Sequence, residues 1–263
     1  MKATGTAAIL AAALGASSGR MVTGVLDRDR PLDPGGIGAH VPAVNPRAQR
    51  VLRSHPAPPP ETPIGALTIG RLQYDGGGDW YGNPSSLPNL LRAIRQSTTI
   101  NVEPRERVVS LHSPDLWDIP YIYATGHGNI HLSDQEVTTL RRYLENGGFF
   151  HADDNYGLDQ SFRREITRVF PDRPLVDVPL DHPIYHLVYE FPQGIPKIHE
   201  HDGKPAQGLG IFLNGRLVVY YSYQSDLGDG WEDPEVHKDP PEKRQAALRM
   251  GVNLFTYAVT AAR

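Results

Sequence analysis

The chain has 263 residues, with 26 Lys plus Arg against 30 Asp plus Glu, a formal charge of −4 that leaves no basic field with which to grip a nucleic-acid backbone. Hydrophobic residues make up 39%, enough to bury a core, which excludes a chain disordered throughout. Cysteine is absent, and with it go disulfides, thiolate metal sites, iron–sulfur clusters and every cysteine nucleophile.

From Met1 to Ser18, one Lys precedes an Ala/Leu/Ile run of about ten residues, followed by small residues. Residues 1–20 therefore read as a secretory signal peptide, which places the mature protein in the periplasm or outside the cell. The alternatives are an unstructured Ala-rich terminus, a start site misplaced upstream of Met21, and a cytoplasmic protein. The run is too short to span a bilayer, which takes roughly twenty apolar residues, and we expect no transmembrane span. Residues 21–63 lack periodicity and carry repeated prolines, ending in Pro58-Pro59-Pro60 and Pro63. Proline removes backbone donors and disfavours helix in the residue before it, so this stretch reads as an extended arm. Its expected role is to dock the domain onto a protein partner or larger assembly.

The domain is expected over 64–263. Ile64–Tyr74 reads as a strand that breaks at Gly76-Gly77-Gly78. Ser86 is expected to cap a helix carrying Leu87, Leu90, Leu91 and Ile94 on one side. Arg107–Leu111 and Tyr121–Ala124 read as strands. Ser133-Asp134-Gln135-Glu136 is a capping box that opens a helix with Val137, Leu140 and Leu144 on one face; Asn146-Gly147 stops it. Gly148–His151 re-enters as a strand, and Phe162, Ile166, Val169 and Phe170 form a helical stripe ended by Pro171. Leu209–Leu213 and Leu217–Tyr221 form a hairpin across Asn214-Gly215. Asp239 is expected to cap a last helix that starts at Pro240-Pro241 and buries Ala247, Met250, Leu254, Tyr257 and Ala258. Such alternation implies an α/β fold: a mainly parallel sheet with helices on both faces and an antiparallel extension.

In sheets of this kind ligands lie beyond the carboxyl ends of the strands, so the residues following each strand are expected to converge. They are Asp79 and Trp80; His127; His151, Asp153 and Asp154; and Asp226, Asp229 and Trp231, with His182 in the loop after the third helix. His127, His151 and His182 suit proton transfer near neutral pH, with Asp153 or Asp154 orienting a neighbour. Asp79, Asp226 and Asp229 offer polar contacts to a ligand, and Trp80 and Trp231 offer flat apolar faces. The bland alternatives are turn chemistry for the glycine-rich and Asp226–Asp229 loops and helix capping for Asp153-Asp154. His199 and His201 read as exposed loop residues without a role. A divalent metal with nitrogen and oxygen ligands is compatible with this set, His151, Asp153 and Asp154 being the first candidates. The sequence holds no phosphate-cradling fingerprint and no G-x-S-x-G elbow.

Tyr121–Gly128 (YIYATGHG), Leu132–Glu136 (LSDQE), Leu140–Gly148, Phe149–Asp154 (FFHADD), Asp181–Ile184 (DHPI) and Gly215–Tyr220 (GRLVVY) run in the order seen in ThuA-like proteins, which the chain resembles. With Tyr74–Trp80 (YDGGGDW), Phe149–Gly157 (FFHADDNYG) and Ser225–Trp231 (SDLGDGW), it resembles more closely the bacterial family DUF4159. The likeness spans Ile64–Val259 and leaves out the arm. It implies a flavodoxin-like, class I glutamine amidotransferase-like fold, and it implies that His151 matches a histidine at the same strand end in ThuA-like proteins, which are associated with sugar metabolism. The glutaminase chemistry of the wider fold needs a cysteine and is excluded here. Fold alone does not license a function. Two expectations follow: an exported, non-catalytic binding or scaffold module with a polar His/Asp pocket for a small polar ligand, or a hydrolase- or lyase-like enzyme acting on a polar or carbohydrate ligand with or without a metal.

Overall fold

The computed structural model describes residues 65–154 and 156–261, so the expected signal peptide and arm lie outside the described residues. Seven strands, β1 (Ile69–Leu72), β2 (Arg107–Val109), β3 (Tyr121–Ala124), β4 (Phe149–Asp153), β5 (Val176–Asp177), β6 (Gln207–Leu213) and β7 (Arg216–Tyr223), form one sheet in the order β2-β1-β3-β4-β7-β6-β5. β2, β1, β3, β4 and β7 run parallel, and β6 and β5 add antiparallel at one edge. The helices are α1 (Ser86–Ser97), α2 (Asp134–Glu145), α3 (Asp159–Val169), α4 (Leu227–Trp231), α5 (Pro234–His237) and α6 (Pro241–Thr260). This is the mixed α/β architecture that the alternation predicts.

Successive strand residues point to opposite faces, and both faces are covered. Tyr121, Tyr123 and Phe149 pack with Leu87, Leu90 and Leu91 of α1 and Met250, Leu254 and Phe255 of α6. Ile122, Ala124, Phe150 and Ala152 pack on the other face with Leu140 and Leu144 of α2 and Phe162, Ile166 and Val169 of α3. Each such buried side chain contributes about 1.5–3 kcal/mol of hydrophobic stabilisation. The short strands are apolar on both sides for this reason. The alternation also carries polar residues inward: His151 and Asp153 project from β4 on the same side as Phe149, two and four residues along.

Local signals set several elements. Ser133 accepts from the Glu136 amide, and the Glu136 carboxylate accepts from the Ser133 amide at 2.8 Å, so the capping box is complete. Asn214 and Gly215 take φ values of 50° and 82°, the left-handed pair that a tight hairpin turn requires. Other expectations are corrected. The first strand is confined to Ile69–Leu72, with Leu67 and Asp75 forming only isolated bridges to Val102 and His131. Ser86 does not cap α1; its hydroxyl donates to the Asn83 carbonyl. The amides of Ser85 and Ser86 instead donate to the carboxylate of Glu232, 3.0 Å each, so the cap comes from the distant end of α4. Asp239 does not cap α6 either, because it accepts from His199.

Ser133→Ala is expected to cost about 1 kcal/mol of unfolding free energy, read from urea denaturation as a lower midpoint at unchanged slope. An unchanged midpoint would show that the packing of α2 alone holds its first turn.

Candidate functional site

At the carboxyl ends of β3, β4 and β7 a polar network lies sealed from solvent. His151 and Tyr220 are register partners across β4 and β7, as are Asp153 and Ser222. Tyr121 Oη lies 2.7 Å from His151 Nδ1, and His151 Nε2 lies 2.8 Å from Ser222 Oγ. Ser222 Oγ in turn meets Asp153 Oδ1. All four residues are 0% exposed. Burial lowers the His151 pKa to about 3, so its ring is neutral. One assignment of protons then satisfies every group: Tyr121 donates to Nδ1, the Nε2 proton goes to Ser222, and Ser222 donates to Asp153.

Asp153 has three further donors. Tyr123 Oη donates to Oδ2 at 3.1 Å, Gly228 N to Oδ2 at 2.6 Å and Leu227 N to Oδ1 at 3.2 Å. Burial pushes its pKa up to about 6, against the pull of those hydrogen bonds. The carboxylate thereby ties the start of α4 to the sheet. A Cβ on Gly228 would lie 2.2 Å from the Tyr123 hydroxyl, so only glycine allows so close an approach. The loop after β1 is braced in a similar way. Arg71, 4% exposed, donates to the carbonyls of Gly82 and Asn83 at 2.6 and 3.1 Å.

Above this floor stands a rim of acids and histidines. Asp226 follows β7 and is fully buried; Oδ2 contacts His201 Nε2, and Oδ1 has no partner among the described residues. Asp229 Oδ2 lies 3.0 Å from His199 Nδ1 and 3.7 Å from His237 Nε2, while Oδ1 accepts from Asn83 Nδ2 at 2.6 Å. His199 Nε2 donates to Asp239 at 3.1 Å. Asp154 is also buried, with Oδ2 accepting from Gln224 N at 3.3 Å and Oδ1 unpartnered among the described residues. Hydrogen bonding to Asp229 raises the His199 pKa to about 9, whereas burial and the charges of Asp153 and Asp229 push Asp226 up to about 8. Burial also lifts Asp154 to about 6. Asp229 is held below the ordinary carboxylate range: burial opposes this, but the His199 bond, the His237 charge and the Asn83 bond prevail.

The backbone is strained here. Of the five non-glycine residues with positive φ among the described residues, four are in these loops: Asn83 (54°), Gln224 (57°), Asp226 (60°) and Lys238 (58°). Each such conformation costs on the order of 1 kcal/mol and persists only where neighbours hold it. Ser225 is pinned between them, its hydroxyl on the Pro196 carbonyl at 2.6 Å and its carbonyl on Ile198 N at 2.9 Å.

Asp79 and His127 meet at the ends of β1 and β3, with Nδ1 3.1 Å from Oδ2 and both side chains open to solvent. The order of strands reverses between β1 and β3, the position at which doubly wound sheets open a crevice. Trp80 is half-buried and packs edge-on against Tyr81, which is 65% exposed. Tyr156 is 53% exposed and stacks on His201 at 4.9 Å between ring centres.

The structure pairs Asp79 with His127 and sets Asp153, Asp226 and Asp229 close to one another, but it does not gather all the candidates. His151 does line up at the same strand end, yet both its ring nitrogens are spent on protein groups and it has no exposure, so it meets no substrate and ligates no ion. Asp153 is likewise consumed by its four donors. Adjacent Asp153 and Asp154 do not repel as a pair, because the strand sends them to opposite faces. His182 is at the wrong end of the sheet: its ring packs on Tyr257 and on Phe212, which pairs with the first residues of β7, and its Nδ1 accepts from Ile184 N. Trp231 offers no ligand face, being 0% exposed with Nε1 donating to the Ala247 carbonyl at 2.8 Å.

Residues that the sequence reading passed over complete the rim: His199, His201, His237, Asp239, Asn83, Tyr81 and Tyr156. The His-x-His spacing was the available signal, because alternate residues of an extended segment share one side. The intervening Glu200 points to solvent, its side chain 69% exposed. His199, Asp229 and His237 each present a donor atom within 4.8 Å of the others, the arrangement among the described residues that could hold a metal. No described helix is long and apolar enough to cross a membrane.

The comparison with protein families finds a match over residues 68–259 to one described as Domain of unknown function (DUF4159). No curated protein matches the chain.

Because native His151 stays neutral to about pH 3 while an unfolded histidine takes its proton near 6.5, acidification favours unfolding. Stability is expected to fall by about 1.4 kcal/mol per pH unit from this group between pH 6.5 and about pH 4. Glutamine can fill both hydrogen bonds without titrating. The stability of the parent relative to His151→Gln, measured by urea unfolding, should decline across that window; a difference independent of pH would contradict the buried neutral ring.

Proposed function

The chain belongs to the DUF4159 family, whose description assigns no activity, and we propose that its domain is a non-catalytic module that binds a small polar ligand at the rim of acids and histidines. The observation that carries this reading is the rim itself: buried Asp226, with one oxygen unbonded among the described residues, stands beside His199 and His201, and Asp229 stands beside His199, at the carboxyl ends of parallel strands. Unbonded buried carboxylate oxygens are costly unless something completes them. Exposed Tyr81 and Tyr156 give flat faces suited to a sugar-like ring. A catalytic reading asks for a base within reach of substrate, and His151, which the family resemblance would nominate, is sealed below the floor.

The order 2-1-3-4-7 of the parallel strands supports a flavodoxin-like, ThuA-like ancestry for the fold. The Ala-rich start and the proline-rich stretch over 21–63 support export and attachment to a larger assembly, a role in which a ligand-sensing domain needs no turnover.

The test is amide NMR on the full chain titrated with a panel of neutral sugars, sugar acids and amino sugars. Shift changes are expected to cluster at 79–83, 126–129, 154–157, 199–202 and 224–231, with no ligand consumed. Changes confined to other faces, or product formation from any panel member, would overturn the proposal.

A further inference from the structure

We propose that the rim holds a divalent first-row transition ion, zinc being the best fit, on His199 Nδ1, Asp229 Oδ2 and His237 Nε2, with Asp226 as an adjoining carboxylate. The inference rests on the reading of the rim as the ligand site and names what completes it.

The spacing fits. Asp229 Oδ2 lies 3.0 Å from His199 Nδ1 and 3.7 Å from His237 Nε2. A tetrahedral ion with bonds of about 2.0–2.1 Å sets its donors about 3.3–3.4 Å apart, and the observed pair brackets that value. Two imidazoles and one carboxylate form a donor set that suits zinc and its neighbours and leaves a coordination position open to an outside ligand. Hard ions such as magnesium and calcium prefer all-oxygen cages and fit it poorly.

Two of the three ligands, His199 and Asp229, are also oriented by a second group. His199 gives its far ring nitrogen to Asp239, both carboxylate oxygens lying 3.1 Å away, which leaves Nδ1 to the ion. Asp229 gives Oδ1 to the Asn83 amide at 2.6 Å, which leaves Oδ2 to the ion. Metal-binding histidines are commonly held by such carboxylates. Hydrogen bonds inside a cluster do not by themselves demand an ion, but Asp226 adds a separate observation. It is 0% exposed, Oδ2 lies 3.6 Å from the same His199 Nδ1, and Oδ1 has no partner among the described residues. A buried carboxylate with one oxygen that no described donor completes, and the other 3.6 Å from the His199 imidazole and in contact with His201, is where a cation repays the cost of burial.

His237 lies on α5, a helix with no buried residues, so its removal leaves the fold intact. The experiment takes the untagged full chain, stripped with a chelator and titrated with zinc alone, and with cobalt for its visible spectrum. One zinc per chain is expected, with a rise in Tm and a cobalt spectrum of tetrahedral type. His237→Ala should weaken zinc binding by about a hundredfold and Asp239→Asn by about tenfold, while His186→Ala, away from the rim, leaves it unchanged. Equal affinity in the parent and in folded His237→Ala, or no binding in the parent, would overturn the proposal. The NMR panel, run without metal, separates the two readings. Sugar-induced shifts at the rim without zinc binding sink the ion alone; zinc binding as expected sustains it whatever the panel shows.

Discussion

Four donors from three separate stretches of chain converge on the carboxylate of Asp153: the hydroxyls of Tyr123 and Ser222 and the amides of Leu227 and Gly228. The carboxyl end of β7 and the first turn of α4 are thereby held against β3 and β4. Hydrogen bonds to a charged group contribute about 1.5–3 kcal/mol each, and a buried donor left without its partner costs a similar amount. That scale exceeds the strain of placing Gln224 and Asp226 in left-handed backbone conformations, on the order of 1 kcal/mol apiece. The clamp therefore lets the chain turn sharply enough to set Asp226 and Asp229 opposite His199, His201 and His237. His151 serves the same end from below: held neutral between Tyr121 and Ser222, it fixes the direction of the serine proton toward Asp153.

Much of the architecture was legible in the sequence. The Tyr121–Ala124 strand, the capping box at Ser133 and the Asn214-Gly215 hairpin all rest on interactions among near neighbours, which a sequence displays directly. The same is true of the helical stripe through Phe162, Ile166 and Val169. The two-residue β5 was missed because it has no pattern of its own and exists only as an edge partner of β6. The caps were misread where the partner is remote: Glu232 closes α1 from nearly 150 residues away along the chain, and Asp239 is drawn off α6 by His199.

The site was half legible, for a related reason. Polar residues crowd the strand ends, and that crowding pointed to the end of the sheet at which these acids and histidines gather. Which of them faces solvent depends on strand alternation and cross-strand pairing, and these buried His151 and Asp153 while leaving His127 exposed. His182 looked equivalent to the others only because it follows a helix in an α/β pattern; after β5 the chain doubles back and lays its ring on Phe212 and Tyr257 at the opposite end. Trp231 followed an acidic, glycine-rich loop that reads as surface, but α4 turns it inward onto α6. His199 and His201 had the reverse fate, coming from a proline-rich loop to lie on two buried acids. The result is a layered strand end: an inaccessible relay that shapes it, and above that a rim of acids and histidines whose His199, His201 and His237 are partly open to solvent.

Hydrogen exchange at two amides tests this most directly. If Asp153 is the clamp, Asp153→Asn should strip protection from the amides of Leu227 and Gly228 while those of Ile122 and Phe150, deep in β3 and β4, keep theirs. Full protection at Leu227 and Gly228 in a folded Asp153→Asn protein would show that the turn after β7 holds itself, and that the rim does not depend on the buried carboxylate.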